Sequence, residues 1–316
     1  MSELKPYLYA FGAILCWASL PAAVGSGLGG LSTEELMFYS FAAAAVYLYL
    51  QNVILTRSFR LYIPGVKPSL WGAAGIFGYH YVYYMAMDNA PLAEAAILAT
   101  TWSFWIVVFS SVLAYRKLKG SIVLTALMGM AGSGLVISAG ESLSFDAAYL
   151  KGYLLALACG LIWSSFSVAL PRMDSRECPM TAFTIYTAVI SAVLFGATGP
   201  HPVPPSSSLL SAVYVGLVPL GLSFFLWNRA LCTGNLSIIG FLSYLTPPLA
   251  VLLVAIIHGQ KVSGQVILGM GVIIMAAILG KVAVNEPVDE PEAIRSTLSP
   301  AVLPGAKFLK SLINRS

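Results

Sequence analysis

The stretch Ala13-Ile14-Leu15-Cys16-Trp17-Ala18-Ser19 returns in kind, 146 residues later, as Cys159-Gly160-Leu161-Ile162-Trp163-Ser164-Ser165. Each copy is small and apolar, and each holds one tryptophan at its centre. Working outward, a second register of 144 residues sets Tyr83-Tyr84-Met85-Ala86-Met87 against Trp227-Asn228-Arg229-Ala230-Leu231. The same register pairs Leu92 with Leu236, Leu98 with Leu242 and Gly120 with Gly264. The chain therefore reads as two copies of one unit.

Each copy sits in a sequence made for a solvent other than water. Of the 316 residues 58% are hydrophobic and 9% are charged, and the mean hydropathy is +0.83. A soluble domain is about one quarter charged. A bilayer crossing takes about 20 apolar residues as a helix, and ten such runs can be marked: Tyr7–Gly27, Leu36–Leu55, Ser69–Met87, Leu92–Tyr115, Ser121–Gly140, Gly152–Pro171, Met180–Thr198, Leu209–Asn228, Leu236–Ile257 and Gly264–Gly280. Strands of a barrel would alternate polar and apolar positions, and these runs do not. The first run is too long for the apolar region of a signal peptide, and Glu3 opposes the basic start such a peptide needs. It is read as a retained helix.

Cations set the orientation, because positively charged loops stay cytoplasmic. With the N-terminus inside, 15 of the 17 Lys and Arg fall on cytoplasmic segments, Lys151 and Lys261 being the exceptions. The expected fold is an all-α integral membrane protein of ten transmembrane helices, built from two inverted five-helix repeats with both termini cytoplasmic. Five is odd, so the second copy enters the membrane upside down. The expected units are residues 1–145 for the first repeat, 146–284 for the second, and 285–316 for a disordered cytoplasmic tail. Inverted repeats with a midplane site between them are a recurring design of secondary transporters.

Charge in hydrocarbon is costly, so embedded ionisable groups are functional candidates. Tyr and Cys aside, His80 and Glu94 are the two that lie clearly within a run. His80 is either a neutral histidine bonded to a neighbouring helix or a cavity group; if protons are coupled, it is the candidate. Glu94 reads as a first-turn carboxylate favoured by a helix N-terminus. Trp17, Trp102 and Trp163 fall near the midplane by residue count, where an indole N–H needs a partner. A wet cavity is expected to supply it for Trp17 and Trp163, set opposite each other by the repeat. Trp102 is open between cavity and packing, and Trp227 is placed nearer the cytoplasmic end. Tyr79, His80 and Tyr83 share a helix face, and Gly72, Gly75 and Gly78 allow a neighbour to approach that helix closely. Pro21, Pro247 and Pro248 free backbone carbonyls and serve as gating points or static kinks.

Other chemistries find no support. The four cysteines form no CxxC pair and lie near no histidine at ligand spacing, so neither a metal nor a cofactor is expected. HExxH, GxSxG and phosphate-loop motifs are absent, and one His with one peripheral Glu is too little for an enzyme. Without a dense basic stripe, nucleic acid is not an expected partner. Partners are the lipid bilayer and a small solute.

The run Phe225-Leu226-Trp227-Asn228-Arg229-Ala230-Leu231 through Phe241-Leu242-Ser243-Tyr244-Leu245-Thr246-Pro247-Pro248 resembles the C-terminal repeat of the drug/metabolite transporter superfamily, in its EamA-type ten-helix branch. The resemblance covers about residues 7 to 284, and the aromatic third run is most similar to the YddG-type amino-acid exporters. It implies an inner-membrane location and export of aromatic and other neutral amino acids. The alternative it allows is efflux of cationic drugs or other small metabolites. One departure is Gly259-Gln260-Lys261, where the family often carries a Glu. The substrate-binding set expected on these grounds is Trp17, Tyr79, His80, Tyr83, Trp102 and Trp163.

Overall fold

The computed structural model describes residues 4–116, 118–138, 143–173, 179–258 and 261–285. The tail expected beyond position 285, Cys178, Gly259 and Gln260 lie outside the described residues. Among the described residues all regular structure is helical: α1 (Lys5–Ala18), α2 (Leu20–Leu28), α3 (Thr33–Thr56), α4 (Val66–Asn89), α5 (Leu92–Ala99), α6 (Trp102–Tyr115), α7 (Gly120–Ile137), α8 (Leu150–Ala169), α9 (Met180–Ala197), α10 (Ser206–Val215), α11 (Ser223–Thr233), α12 (Leu236–Ser243), α13 (Thr246–His258) and α14 (Gly264–Asn285).

Nine helical stretches among the described residues are long and apolar enough to cross a membrane. Several join two helices across a break. α1 and α2 meet at Ser19, whose hydroxyl donates to the Cys16 carbonyl at 2.8 Å, two residues ahead of Pro21. A π turn over Gly216–Leu222, centred on Pro219, joins α10 to α11. α4 matches α3 at 24 residues, about 36 Å at 1.5 Å per residue. It falls outside the nine because four tyrosines and a histidine lower its hydropathy.

Local chemistry fixes the helix limits. Ser32 opens α3 with a reciprocal cap: its Oγ accepts from the Glu35 N–H at 3.2 Å, and Glu35 Oε2 accepts from the Ser32 N–H at 2.8 Å. Arg57 and Arg116 close α3 and α6 in the left-handed conformation, at φ 53° and 52°. At one end of the bundle Gln265 Nε2 donates to the Leu135 carbonyl (3.2 Å) and Ser208 Oγ to the Ser26 carbonyl (3.3 Å). At the other, Lys119 Nζ donates to the Ala283 carbonyl at 3.4 Å.

The packing pairs elements from the two halves of the chain. α4 lies along α8 and α1 along α11, α3 runs beside α9, and α6 packs against both α8 and α12. The contact of α4 with α8 and α9 depends on glycine. A Cβ on Gly75 would stand 2.6 Å from the Phe166 ring, and one on Gly72 would stand 2.4 Å from the Phe183 ring. Two of the three glycines read from the sequence thus carry the approach. Gly78 does not, since its Cβ would meet nothing nearer than Ile162 at 3.9 Å.

Gly75→Val is expected to destabilise the protein by about 1–3 kcal/mol, the usual cost of overpacking. Gly78→Ala should leave stability unchanged. Melting temperatures of the purified variants in one detergent compare the two.

Candidate functional site

α1, α6, α8 and α11 each deliver one tryptophan to the interior, and Trp17 is their hub. Its ring meets Trp227 at 4.9 Å, Trp163 at 5.6 Å and Trp102 at 5.8 Å, all edge to face. That arrangement directs the positive ring edge at a negative ring face. The Trp17 indole N–H donates to the Pro219 carbonyl at 2.9 Å. Its partner is therefore protein backbone rather than the cavity water expected from the sequence. The π turn explains the acceptor: the Ser223 N–H bonds to the Val218 carbonyl, five residues back, in place of the Pro219 carbonyl four back, and the latter accepts the Ser223 hydroxyl as well as the indole. Trp227, expected nearer the cytoplasmic end, is part of this cluster. It is wholly buried and its Nε1–H donates to Ser167 Oγ at 3.2 Å.

Beside the cluster lies a cavity of about 510 Å³. The six side chains Trp17, Tyr79, His80, Tyr83, Trp102 and Trp163 all line it. Tyr79 and Tyr83 stack at 5.7 Å, and Tyr79 meets Trp163 at 4.9 Å. Facing this aromatic wall are small residues, Ala93, Ala96 and Ala99 of α5 with Ala250 and Val251 of α13. Pro21 and Pro247 also line the space, whereas Pro248 does not. Lys261, beside Val262 and Ser263 ahead of α14, is the one charged residue in the lining among the described residues.

His80 Nδ1 lies 2.8 Å from the carbonyl of Ile76. A carbonyl only accepts, so Nδ1 carries the proton, and the partner is on the same helix rather than a neighbouring one. Nε2 is then the nitrogen available to a ligand. The ring is enclosed by Phe41, Tyr79, Tyr84, Trp163 and Phe224.

Both breaks beside the cavity use hydroxyls against the backbone. Thr100 and Thr101 donate to the carbonyls of Ala96 and Leu98, each at 2.7 Å, where α5 gives way to α6. Thr246 donates to the Ser243 carbonyl at 2.8 Å, where α12 gives way to α13. This satisfies the carbonyl that Pro247 leaves without its helical donor. On the inner side of the breaks α6 and α12 are in contact. The hydroxyls of Ser103 and Ser243 lie 2.8 Å apart, as do those of Ser110 and Ser237.

Glu94 does more than favour a helix N-terminus. Its Oε1 accepts from the N–H groups of Ser144 (2.7 Å) and Phe145 (3.1 Å), and its Oε2 accepts from the Tyr153 hydroxyl. The start of α5 is thereby fastened to the segment before α8, where Phe145 adopts a φ of 46°. Neither the serine pairs nor the Pro219 acceptor carries a signal in the sequence. Thr246, in contrast, stands 144 residues after Trp102 in the repeat register.

A helical bundle with a solute-sized, aromatic-walled interior defines a membrane transporter, and the comparisons agree. Residues 150–280 match the EamA-like transporter family. An aromatic amino acid exporter YddG of Ancylobacter novellus is 32% identical over 281 residues, covering 88% of this chain and 97% of that protein. A probable terminal-alkyne amino-acid exporter of Streptantibioticus cattleyicolor is 21% identical, covering 78% and 83%. A chain of known crystal structure superposes with a TM-score of 0.81 at 30% identity, over 90% of this chain and 100% of that one. This chain belongs to the drug/metabolite transporter superfamily and is YddG-like. It is a multi-pass membrane transporter from a family of amino-acid exporters, and not an enzyme.

Removing the Glu94 carboxylate takes the acceptor from the N–H groups of the exposed residues Ser144 and Phe145 and from the Tyr153 hydroxyl. Glu94→Ala should therefore lower the melting temperature, with Glu94→Gln recovering part of the loss. Thermal unfolding of the two variants measures both.

Proposed function

We propose that the protein exports aromatic and other neutral amino acids across the inner membrane by alternating access, with the aromatic cavity as its binding site. The observation that carries this reading is the cavity's composition: tryptophan, tyrosine and histidine rings together with alanines, and, among the described residues, charge only at Lys261. Rings hold an apolar or aromatic side chain, and their faces attract an ammonium group. His80 Nε2 is an acceptor for the same ammonium. A phosphorylated solute would want Arg or Lys at depth. Among the described residues no carboxylate stands in the lining to neutralise a cationic drug, which favours the zwitterion over that alternative.

Alternating access follows from the repeat. Counting α4 as a crossing gives ten helices in two inverted sets of five, residues 1–145 and 146–284. Two features support this. The α5–α6 break and the α12–α13 break fall at Thr100-Thr101 and Tyr244-Leu245, in the 144-residue register. The pairing of α4 with α8 also repeats as that of α11 with α1. Broken helices in corresponding positions of two halves mark a transport site. With the N-terminus inside, the rim at Lys261 faces outward, so the conformation is open to the outside and sealed toward the cytoplasm. Pro21 and Pro247 adjoin the breaks and serve as the points of bending, with Pro248 as a static neighbour.

Reconstituted protein should show counterflow of labelled phenylalanine or tryptophan, with no requirement for a pH gradient. Trp163→Ala removes a ring contact of about 1.4 kcal/mol and should raise KM about tenfold. Liposomes that exchange no amino acid would refute the reading. A pH-gradient dependence that disappears in His80→Gln would make His80 a proton-coupling group instead.

A further inference from the structure

An inverted repeat builds two half-cavities, and the one that is closed here can be read from the one that is open. The 144-residue register carries Tyr79, His80 and Tyr83 of α4 onto Ser223, Phe224 and Trp227 of α11. It carries Ala93 and Ala99 of α5 onto Ser237 and Ser243 of α12, and Ser103 of α6 onto Pro247 of α13. Every first-repeat residue named here, and Pro247, lines the open cavity, apart from Ser103. Ser103, Ser237 and Ser243 are buried, and each is engaged by a hydroxyl of the facing helix.

The two sides are therefore chemically unequal. Where the open side presents alanine and proline, the sealed side presents serine. Hydrogen bonds between Ser103 and Ser243, and between Ser110 and Ser237, hold α6 on α12 while the outside is open. Parting these helices releases the four hydroxyls from one another, while Ser110 and Ser243 keep their bonds to the Val107 and Gly240 carbonyls at 3.0 and 2.6 Å. Ser103 and Ser237 can then donate to a carboxylate, and Ser110 and Ser243 offer lone pairs to an ammonium.

We propose that Ser103, Ser110, Ser237 and Ser243 form a second, cytoplasm-facing site that binds the zwitterionic head of an α-amino acid during loading. The hydroxyls pair with one another again as the outside opens. The solute head then faces Ala93, Ala99 and Pro247, the positions that correspond to Ser237, Ser243 and Ser103, and these hydrogen bonds are gone. Affinity is consequently higher on the cytoplasmic face than on the outer face. Equilibrium is unaffected, because the face with the higher KM also has the higher maximal rate and their ratio is equal on the two faces. This inference rests on the alternating-access reading above, but not on which amino acid is carried.

The test uses the full chain in proteoliposomes of defined orientation, with the four native cysteines replaced by serine. In Ser110→Cys/Ser237→Cys, oxidation should form a disulfide that stops counterflow, and reductant should restore it. Failure of the bond to form, or exchange that persists once intact mass shows it formed, overturns the proposal. Ser103→Ala and Ser243→Ala should each raise the cytoplasmic KM relative to the outer KM by about fivefold, the worth of one neutral hydrogen bond. Ser243→Thr should keep the ratio near its original value. An equal shift on both faces, or none, overturns the site. If the parent protein exchanges no amino acid, the functional reading falls separately. A membrane-impermeant maleimide then still reports on the gate. Labelling of Ser237→Cys from the cytoplasmic face supports the opening, and complete protection refutes it.

Discussion

The hydrogen bond from the Trp17 indole to the Pro219 carbonyl spans 202 residues of sequence and fixes the centre of the molecule. In hydrocarbon no water stands ready to take an unsatisfied polar group. A tryptophan in the interior is admissible only where the fold provides an acceptor, and the π turn around Pro219 does so. Trp17 is then held rigidly enough to receive three further indoles edge-on. Three of the four indoles, Trp17, Trp102 and Trp163, line the 510 Å³ cavity.

The same constraint explains where the chain departs from ideal helix. Each break beside the cavity carries a local hydroxyl bonded to a backbone carbonyl: Ser19 on Cys16, Thr100 and Thr101 on Ala96 and Leu98, and Thr246 on Ser243, the carbonyl that Pro247 frees. Short polar side chains that weaken a helix in water act in lipid as the means of bending one without stranding a peptide group. Glu94 extends the principle to a carboxylate, saturated by two backbone donors and a tyrosine.

Much of the site was legible because helical spacing and depth are properties of a single segment. Tyr79, His80 and Tyr83 fall on one face of α4 by periodicity alone, and all three line the cavity. Gly72 and Gly75 announce a close approach that Phe183 and Phe166 make real. What escaped was set by partners far away in the chain. Trp227 looked peripheral when counted along its own run, but the π turn and the contact of α11 with α1 bring it onto Trp17 at 4.9 Å. The partner of Glu94 is 50 residues away, and those of Ser103 and Ser110 are 140 and 127 away. No periodicity reports such pairs.

Composition alone determined the solvent, the helical class and the near absence of buried charge, since these follow from transfer energies summed along one segment at a time. Which hydroxyl meets which, which carbonyl receives the central indole and which side chains line the cavity were decided only in the folded molecule. Those choices depend on how helices from opposite halves of the chain lie against one another, and hydrogen bonding rewards a geometry that only their packing creates.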